Sequence, residues 1–333
     1  MAGSLTADQT AQFADEGYLV VRGLLDRESD LAPIMTEYAG VLDRLVDRLV
    51  DEGQLSQRYE DLPFADRVTA VFAETGKDHT QHFDFSLPQA STKPDTPFWT
   101  GPAVFSLLTH QGILDVIESL IGPEIWSNPV QHVRLKVPEQ LMPPDPATGR
   151  PRNVATPWHQ DNGVVTAEAD QTQMITVWLP LGDTDRDNGC LMVKPRQHRS
   201  GLLPHCPGNS PSGQRRGGIG GLAIPGTHLL GETVDLPMAA GDVLFMHRRT
   251  PHAAHRNTSD RLRWSFDLRY QPTGQPSGRD AFPGFVARSA VDPSAVLTDP
   301  DAWAQSWLEA RARVSLERPT GFNRWRTDAE VCA

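Results

Sequence analysis

Near residue 125 the apolar pattern of this chain changes period, and that change limits the folds open to it. Before it, apolar residues recur at intervals of three and four. Met35, Tyr38, Leu42, Leu45 and Leu49 form one stripe, with Asp43, Arg44, Asp47 and Arg48 on the other side, which predicts an amphipathic helix closed by Gly53. A shorter helix is predicted upstream, where Thr6 and Gln9 make a capping box, Phe13 faces inward and Gly17 stands at the C-terminal end. Residues 18–22 read as a strand and residues 105–121, ending at Gly122, as a third helix; residues 54–100 carry no assignment. After residue 125 come short runs broken by Pro and Gly: 131–137, 172–179, 190–194, 243–246 and 262–270 all read as extended. Asn188-Gly189 predicts a hairpin turn. Long loops at 139–153 and 206–231 interrupt the strands, lengths that suit functional lids. A last helix is expected over 300–317, with Trp303 and Trp307 one turn apart on its core side. Helices first and many short strands after them predict a mainly β fold, a sandwich or barrel core buttressed by helices.

Charge and cysteine usage exclude several classes of function. A formal charge of -11 leaves no basic stripe for nucleic acid and disfavours an anionic membrane surface. No basic-then-apolar leader is visible at the N-terminus, and no run is expected to cross a membrane. Cys190, Cys206 and Cys332 are odd in number, widely spaced and without a Cys-x-x-Cys, which predicts reduced thiols in a cytoplasmic protein. Gly217-Gly218-Ile219-Gly220-Gly221 lacks the strand–turn–helix setting of a nucleotide fingerprint. A small-molecule substrate is the expected partner, and the acidic balance suits a neutral or cationic one; oligomeric state is left open.

The chemistry is concentrated at Trp158-His159-Gln160-Asp161. In an extended segment alternate side chains share a face, so His159 and Asp161 project together and Gln160 points away. An imidazole beside a carboxylate supplies two of the three protein ligands of the facial triad that binds non-haem Fe(II). The third has three candidates downstream: His247, His252 and His255. Beyond them Arg263 and Ser265 alternate onto one face, a guanidinium and a hydroxyl suited to receive a carboxylate. His132, Arg134 and Lys136 share a strand face upstream.

Taken together these pieces resemble the phytanoyl-CoA dioxygenase family of Fe(II)/2-oxoglutarate-dependent oxygenases. The resemblance runs from Leu5-Thr-Ala-Asp-Gln and Gly17-Tyr-Leu-Val-Val-Arg-Gly-Leu-Leu25 to about Tyr270. It includes Trp158-His-Gln-Asp161, Trp178-Leu-Pro-Leu181, Asn188-Gly-Cys-Leu191, Gly241-Asp242, His247, His252, Asn257 and Arg263. It departs at Met246, where the family often has Phe, and at Pro195-Arg-Gln-His198, where Pro-Gly-Ser-His is usual. The resemblance implies a double-stranded β-helix, the jelly roll of cupin-like proteins, as one oxygenase domain. Residues 1–124 would support it, 125–275 would form the catalytic core, and 276–333 a C-terminal extension and candidate lid. It selects His252 as the distal ligand, because the family's 2-oxoglutarate arginine follows that ligand by eleven positions, here at Arg263. The implied metal site is His159, Asp161 and His252. The implied 2-oxoglutarate contacts are Arg263, Ser265, Lys136 and Trp178, with Arg134, His247, His255 and Gln160 as substrate-facing candidates. Asp161 stands where a halogenase variant needs a small residue. The implied activity uses Fe(II), 2-oxoglutarate and O2 to hydroxylate or oxidatively cyclise a small molecule, releasing succinate and CO2. Tailoring of secondary metabolites, including saccharide-containing ones, is the implied setting. The alternative is a cupin-like metal-dependent isomerase or dioxygenase that makes no use of 2-oxoglutarate, for which Arg263 has no purpose.

Overall fold

A computed structural model describes residues 4–88, 91–142, 144, 155–207, 222–317 and 324–325. Most of the two predicted loops, at 143, 145–154 and 208–221, lies outside the described residues, as does Cys332. In the first third the elements are α1 (Ala7–Glu16), β1 (Tyr18–Val21), α2 (Ala32–Asp51), α3 (Phe64–Thr75), α4 (Pro102–Leu108) and α5 (Gln111–Ile121). Then follow β2 (Ile125–Ser127), β3 (His132–Lys136), β4 (Thr156–His159), β5 (Ile175–Pro180), β6 (Leu191–Val193), β7 (Cys206–Pro207) and β8 (Leu222–Ala223). The chain continues through β9 (Val234–Leu236), β10 (Val243–His247), β11 (His252–Ala254), β12 (Arg263–Pro272), β13 (Phe285–Arg288) and α6 (Pro300–Glu317).

Local chemistry accounts for the first turn of the chain. Thr6 accepts from Gln9 N while Gln9 Oε1 accepts from Thr6 N, so two orphan amides are satisfied reciprocally. Gly17 ends the helix at φ 80°, returning its amide to Phe13 O, and a Cβ there would lie 2.3 Å from the His198 ring. In α2 the buried stripe is Ile34, Tyr38, Val41, Leu42, Leu45, Val46 and Leu49. Met35, expected on it, is 41% exposed, because the inward face begins one residue earlier, at Ile34. The predicted third helix is two, broken at Thr109-His110. By length and apolarity the stretch Pro102–Ile121 would pass for a membrane span; the break and the burial of Phe105, Leu108, Ile113 and Ile117 make it core. The unassigned stretch contains α3.

Two antiparallel sheets face each other. The seven-stranded one runs β1-β10-β5-β12-β2-β13 with β3 also on β12; the four-stranded one runs β4-β11-β6-β9. Registers on the large sheet sort side chains by face, since paired residues point the same way. Val177 is opposite Phe245 and Leu268, and Val133 opposite Phe266. This outer face packs on the helices, where Tyr38 meets Trp264 at 5.3 Å and Phe266 at 5.8 Å between ring centroids. Trp303 and Trp307 of α6 are buried in the same core. The inner face is different. Thr176 lies opposite Arg269, Trp178 opposite Asp267, and Lys136 and Arg134 opposite Arg263 and Ser265. A sheet whose inner face carries buried charges while its outer face is apolar is built around a polar site, because such groups are costly to bury unpaired. The helices therefore make the sheet rigid from behind, and its functional groups point into the barrel.

Among the described residues Cys190 is a free, buried thiol, whereas Cys206 is disulfide-bonded. That corrects the expectation of three reduced thiols: an odd count and wide spacing do not exclude one pair. The cysteines accordingly no longer argue for a reducing compartment.

Candidate metal centre

The site starts from strand pairing. His159 ends β4, His252 begins β11, and the two stand directly opposite each other in the small sheet, their rings 4.1 Å apart. Each ring is held by the carbonyl two residues upstream: Nδ1 of His159 donates to Pro157 O (2.9 Å) and Nδ1 of His252 to Thr250 O (3.0 Å). A carbonyl only accepts, so both protons sit on Nδ1, and a neutral imidazole then has its lone pair on Nε2. Burial, reinforced by the His252 ring, holds His159 well below the usual imidazole range and so keeps it neutral.

Past His159 the chain turns into a short 3-10 turn, Asp161–Val164, which brings the Asp161 carboxylate back beside the rings. Its Oδ1 lies 3.9 Å from His159 Nε2, and ligand atoms of His159, Asp161 and His252 are all within 4.8 Å of one another. A bound ion would draw these atoms closer together than they stand here. No second group of this kind occurs among the described residues.

Asp161 is supported by two residues that the sequence reading missed. Arg269 donates Nη2 to Oδ1 and Nη1 to Val130 O; Thr176 donates to Oδ2. Burial raises the carboxyl's affinity for protons, but Arg269 and the two imidazoles outweigh it and keep Asp161 ionised below the ordinary carboxylate range. With each oxygen accepting one hydrogen bond, the carboxylate keeps a lone pair free for a metal while its orientation is fixed. The signal for Arg269 was present: Arg263, Ser265, Asp267 and Arg269 alternate along one strand, so all four share the inner face. Thr176 is found the same way, two residues before Trp178.

Farther along the same inner face as Arg269 and Thr176 lies a cationic cluster. Arg263 is 3% exposed, donates to Ser265 Oγ, and lies 5.8 Å from the Trp178 ring centroid. Its Nε has no hydrogen-bond partner, and Arg263 makes no ion pair among the described residues. Burial brings its guanidinium down to about 10, only partly countered by Asp267. Lys136, also buried, is lowered well below its ordinary value by burial, then by Arg263 and Arg134; its Nζ donates to His255 O at 2.6 Å. Arg134 pairs with Asp267 at 3.3 Å. Three basic side chains share one carboxylate, Asp267, a charge balance suited to receiving an anion, and a buried guanidinium with an unmet N–H is costly.

The other substrate-facing candidates stand elsewhere. Gln160 is fully committed: its amide donates to Gly201 O and Arg249 O and accepts from Leu203 N. Pointing away from His159, it braces loops instead of meeting substrate. His247 lies opposite Ile175 on the helix-facing side of the large sheet, with its ring 5.1 Å from His198. His255 is paired with Asp235 at 2.7 Å. His205, which no sequence signal singled out, is completely buried and accepts from Gln160 N at 2.9 Å while donating to Leu203 O.

These buried imidazoles predict an acid-labile fold. Burial lowers His79, His82 and His205 to about 4 and His247 to about 3, all below the usual 6.5. The unfolded chain then binds protons that the folded chain refuses, so this stability is complete above about pH 6.5 and is lost as pH falls toward 4. Each fully titrating histidine contributes a slope of about 1.4 kcal/mol per pH unit. Urea unfolding between pH 7 and 5 is expected to show uptake of two or more protons; pH-independent stability over that range would contradict the buried neutral state.

Comparison with known proteins gives the family and the fold. A family model described as "Phytanoyl-CoA dioxygenase (PhyH)" matches residues 13–265. The chain is 28% identical over 162 residues to "Phytanoyl-CoA dioxygenase, peroxisomal" of Bos taurus, covering 48% of this chain and 43% of that protein. It is 22% identical over 263 residues to the Mus musculus protein of the same name, covering 78% and 66%. The chain spans about half the length of the curated relatives it matches. Among solved structures it resembles "non-heme monooxygenase; ThoJ apo" at 17% identity and TM-score 0.56, covering 93% of this chain and 98% of that one, which shows a common fold.

Proposed function

We propose that this chain, which belongs to the phytanoyl-CoA dioxygenase family, is a non-haem Fe(II)/2-oxoglutarate-dependent oxygenase acting on a C–H bond of a small molecule. One observation carries the proposal: two imidazoles with Nε2 lone pairs and an ionised carboxylate converge, and a buried guanidinium with an unmet N–H lies on the sheet face that bears the carboxylate's partners Thr176 and Arg269. His159, His252 and Asp161 would hold the iron; Arg263 and Ser265, with Lys136 behind them, would receive the distal carboxylate of 2-oxoglutarate. Iron and 2-oxoglutarate, when bound, supply the oxidising power by coupling O2 reduction to decarboxylation, giving succinate and CO2.

The chain's own residues orient and protect. Nδ1 hydrogen bonds fix both imidazole planes, and Arg269 with Thr176 fixes the carboxylate. Trp178, 1% exposed, covers one side of the Arg263 guanidinium and excludes water from the carboxylate pocket. Hydroxylation or oxidative ring closure of a secondary metabolite is the finer reading, supported by the family resemblance. The non-2-oxoglutarate alternative is disfavoured because it gives the buried Arg263 guanidinium no carboxylate to receive. Anaerobically reconstituted enzyme given O2 is expected to form succinate from 2-oxoglutarate slowly alone and faster with a cognate small molecule. Absence of any metal-dependent succinate, with or without a metabolite panel, sinks the proposal.

A further inference from the structure

The described residues Arg324 and Trp325 return from beyond α6 to the turn that follows Asp161. Arg324 grips Asp170 with both terminal nitrogens, at 2.5 and 2.7 Å. Trp325 donates Nε1 to Gly163 O at 2.7 Å and stacks on His205, ring centroids 4.9 Å apart at 26°. Those contacts converge on the metal ligand from both sides. His205 accepts the amide of Gln160, the residue before Asp161, and Gly163 lies two after it. Asn162, between them, points its amide nitrogen at Asp170 Oδ1 (3.4 Å) and accepts from Arg248 Nε (3.2 Å). A Cβ on Gly163 would stand 2.2 Å from the His205 ring, so the turn and the imidazole are already in close contact. The strand pairing of β4 ends at His159, so the backbone of Asp161 is placed by this turn, whose Asn162 amide donates to Arg248 O at 3.0 Å, while Arg269 and Thr176 hold the carboxylate itself.

We propose that Arg324 and Trp325 are positioning residues for the metal ligand Asp161, clamping residues 160–163 through His205 and Asp170. The inference rests on the reading of His159, Asp161 and His252 as an iron site. Its physical content is preorganisation: a ligand on a turn without strand partners must be ordered when the ion binds unless something orders it beforehand, and that ordering weakens affinity. Two separated anchors, an ion pair and a ring stack, define both the height and the tilt of the turn. The clamp would also make Arg324 and Trp325 part of the wall of the site.

The test uses Trp325→Ala, Trp325→Phe and Arg324→Gln in the full chain, with Mn(II) alone as the probe. Mn(II) affinity is read by electron paramagnetic resonance, and backbone exchange of residues 161–164 by mass spectrometry on metal-free protein. Trp325→Ala and Arg324→Gln are each expected to weaken Mn(II) binding about tenfold, the scale of lost outer support at a metal site, and to raise exchange at 161–164. Trp325→Phe keeps the stack but loses the N–H and is expected to fall between. Wild-type Mn(II) affinity in Trp325→Ala and Arg324→Gln overturns the proposal, whether or not exchange rises. If the wild-type protein itself binds no Mn(II), the iron-site reading fails, while unchanged exchange in the variants independently removes the clamp.

Discussion

Arg269→Met is expected to destabilise the metal-free protein by about 3–5 kcal/mol, the usual result of removing one partner from a buried ion pair. Both partners are almost fully inaccessible, with side-chain exposures of 7% and 2%, so neither charge has water to fall back on. The loss is expected to come from the stranded carboxylate of Asp161, whose remaining donor is Thr176. Asp161→Asn alone is also expected to destabilise, because it leaves the guanidinium facing a neutral amide. Combining the two substitutions should recover a large part of the loss, since both charges are then gone. Chemical denaturation of the four proteins of this cycle measures the coupling. Additive losses, with no recovery in the double variant, would show that Arg269 is not the counter-ion of the ligand.

Arg263→Ala is expected to weaken 2-oxoglutarate binding at least tenfold while leaving metal affinity nearly unchanged. A charge-assisted hydrogen bond contributes about 1.5–3 kcal/mol, and 1.4 kcal/mol is a factor of ten, so even one lost bond reaches that threshold. Arg263→Lys is not expected to restore it, because a compact ammonium cannot reproduce the planar fork that meets both carboxylate oxygens. Lys136 does not compensate: its Nζ is already engaged by His255 O, and burial between two arginines weakens its charge. Titration of 2-oxoglutarate into metal-loaded protein, followed by calorimetry, gives the affinity directly. An unchanged value would return the cupin-like alternative, in which this arginine has no carboxylate to hold.

How much of this could be read in the chain depends on whether the signal was local. The Thr6–Gln9 capping box, the Gly17 turn and the span of α6 are written in neighbouring residues, and the structure has them where expected. The alternation of His159 and Asp161 about Gln160 was legible for the same reason. It also contained the warning that Gln160 points away, which the expectation of a substrate role ignored. His252 could not be chosen among three imidazoles by spacing; only the family resemblance selected it, and the pairing of β4 with β11 supplies the physical reason. Arg269 was legible in principle from period two but lay beyond the residues to which the resemblance drew attention. Arg324, Trp325 and His205 had no signal at all. Their partners are distant in sequence, and no local propensity encodes a tail folding back on a metal turn. Short strands such as β9, β11 and β13 escaped notice because three or four residues show no period.

Two imidazoles from paired strands and one carboxylate from the turn after β4 would form a single Fe(II) site with a carboxylate receptor on the facing sheet. Anaerobic titration of Fe(II) into the metal-free protein, repeated on His252→Ala and followed by 2-oxoglutarate, tests it most directly. The account predicts one Fe(II) per chain, loss of that binding in the variant, and 2-oxoglutarate binding that strengthens when the metal is present. Undiminished Fe(II) binding after removal of the residue 252 imidazole, or no binding to the unaltered chain, would contradict it.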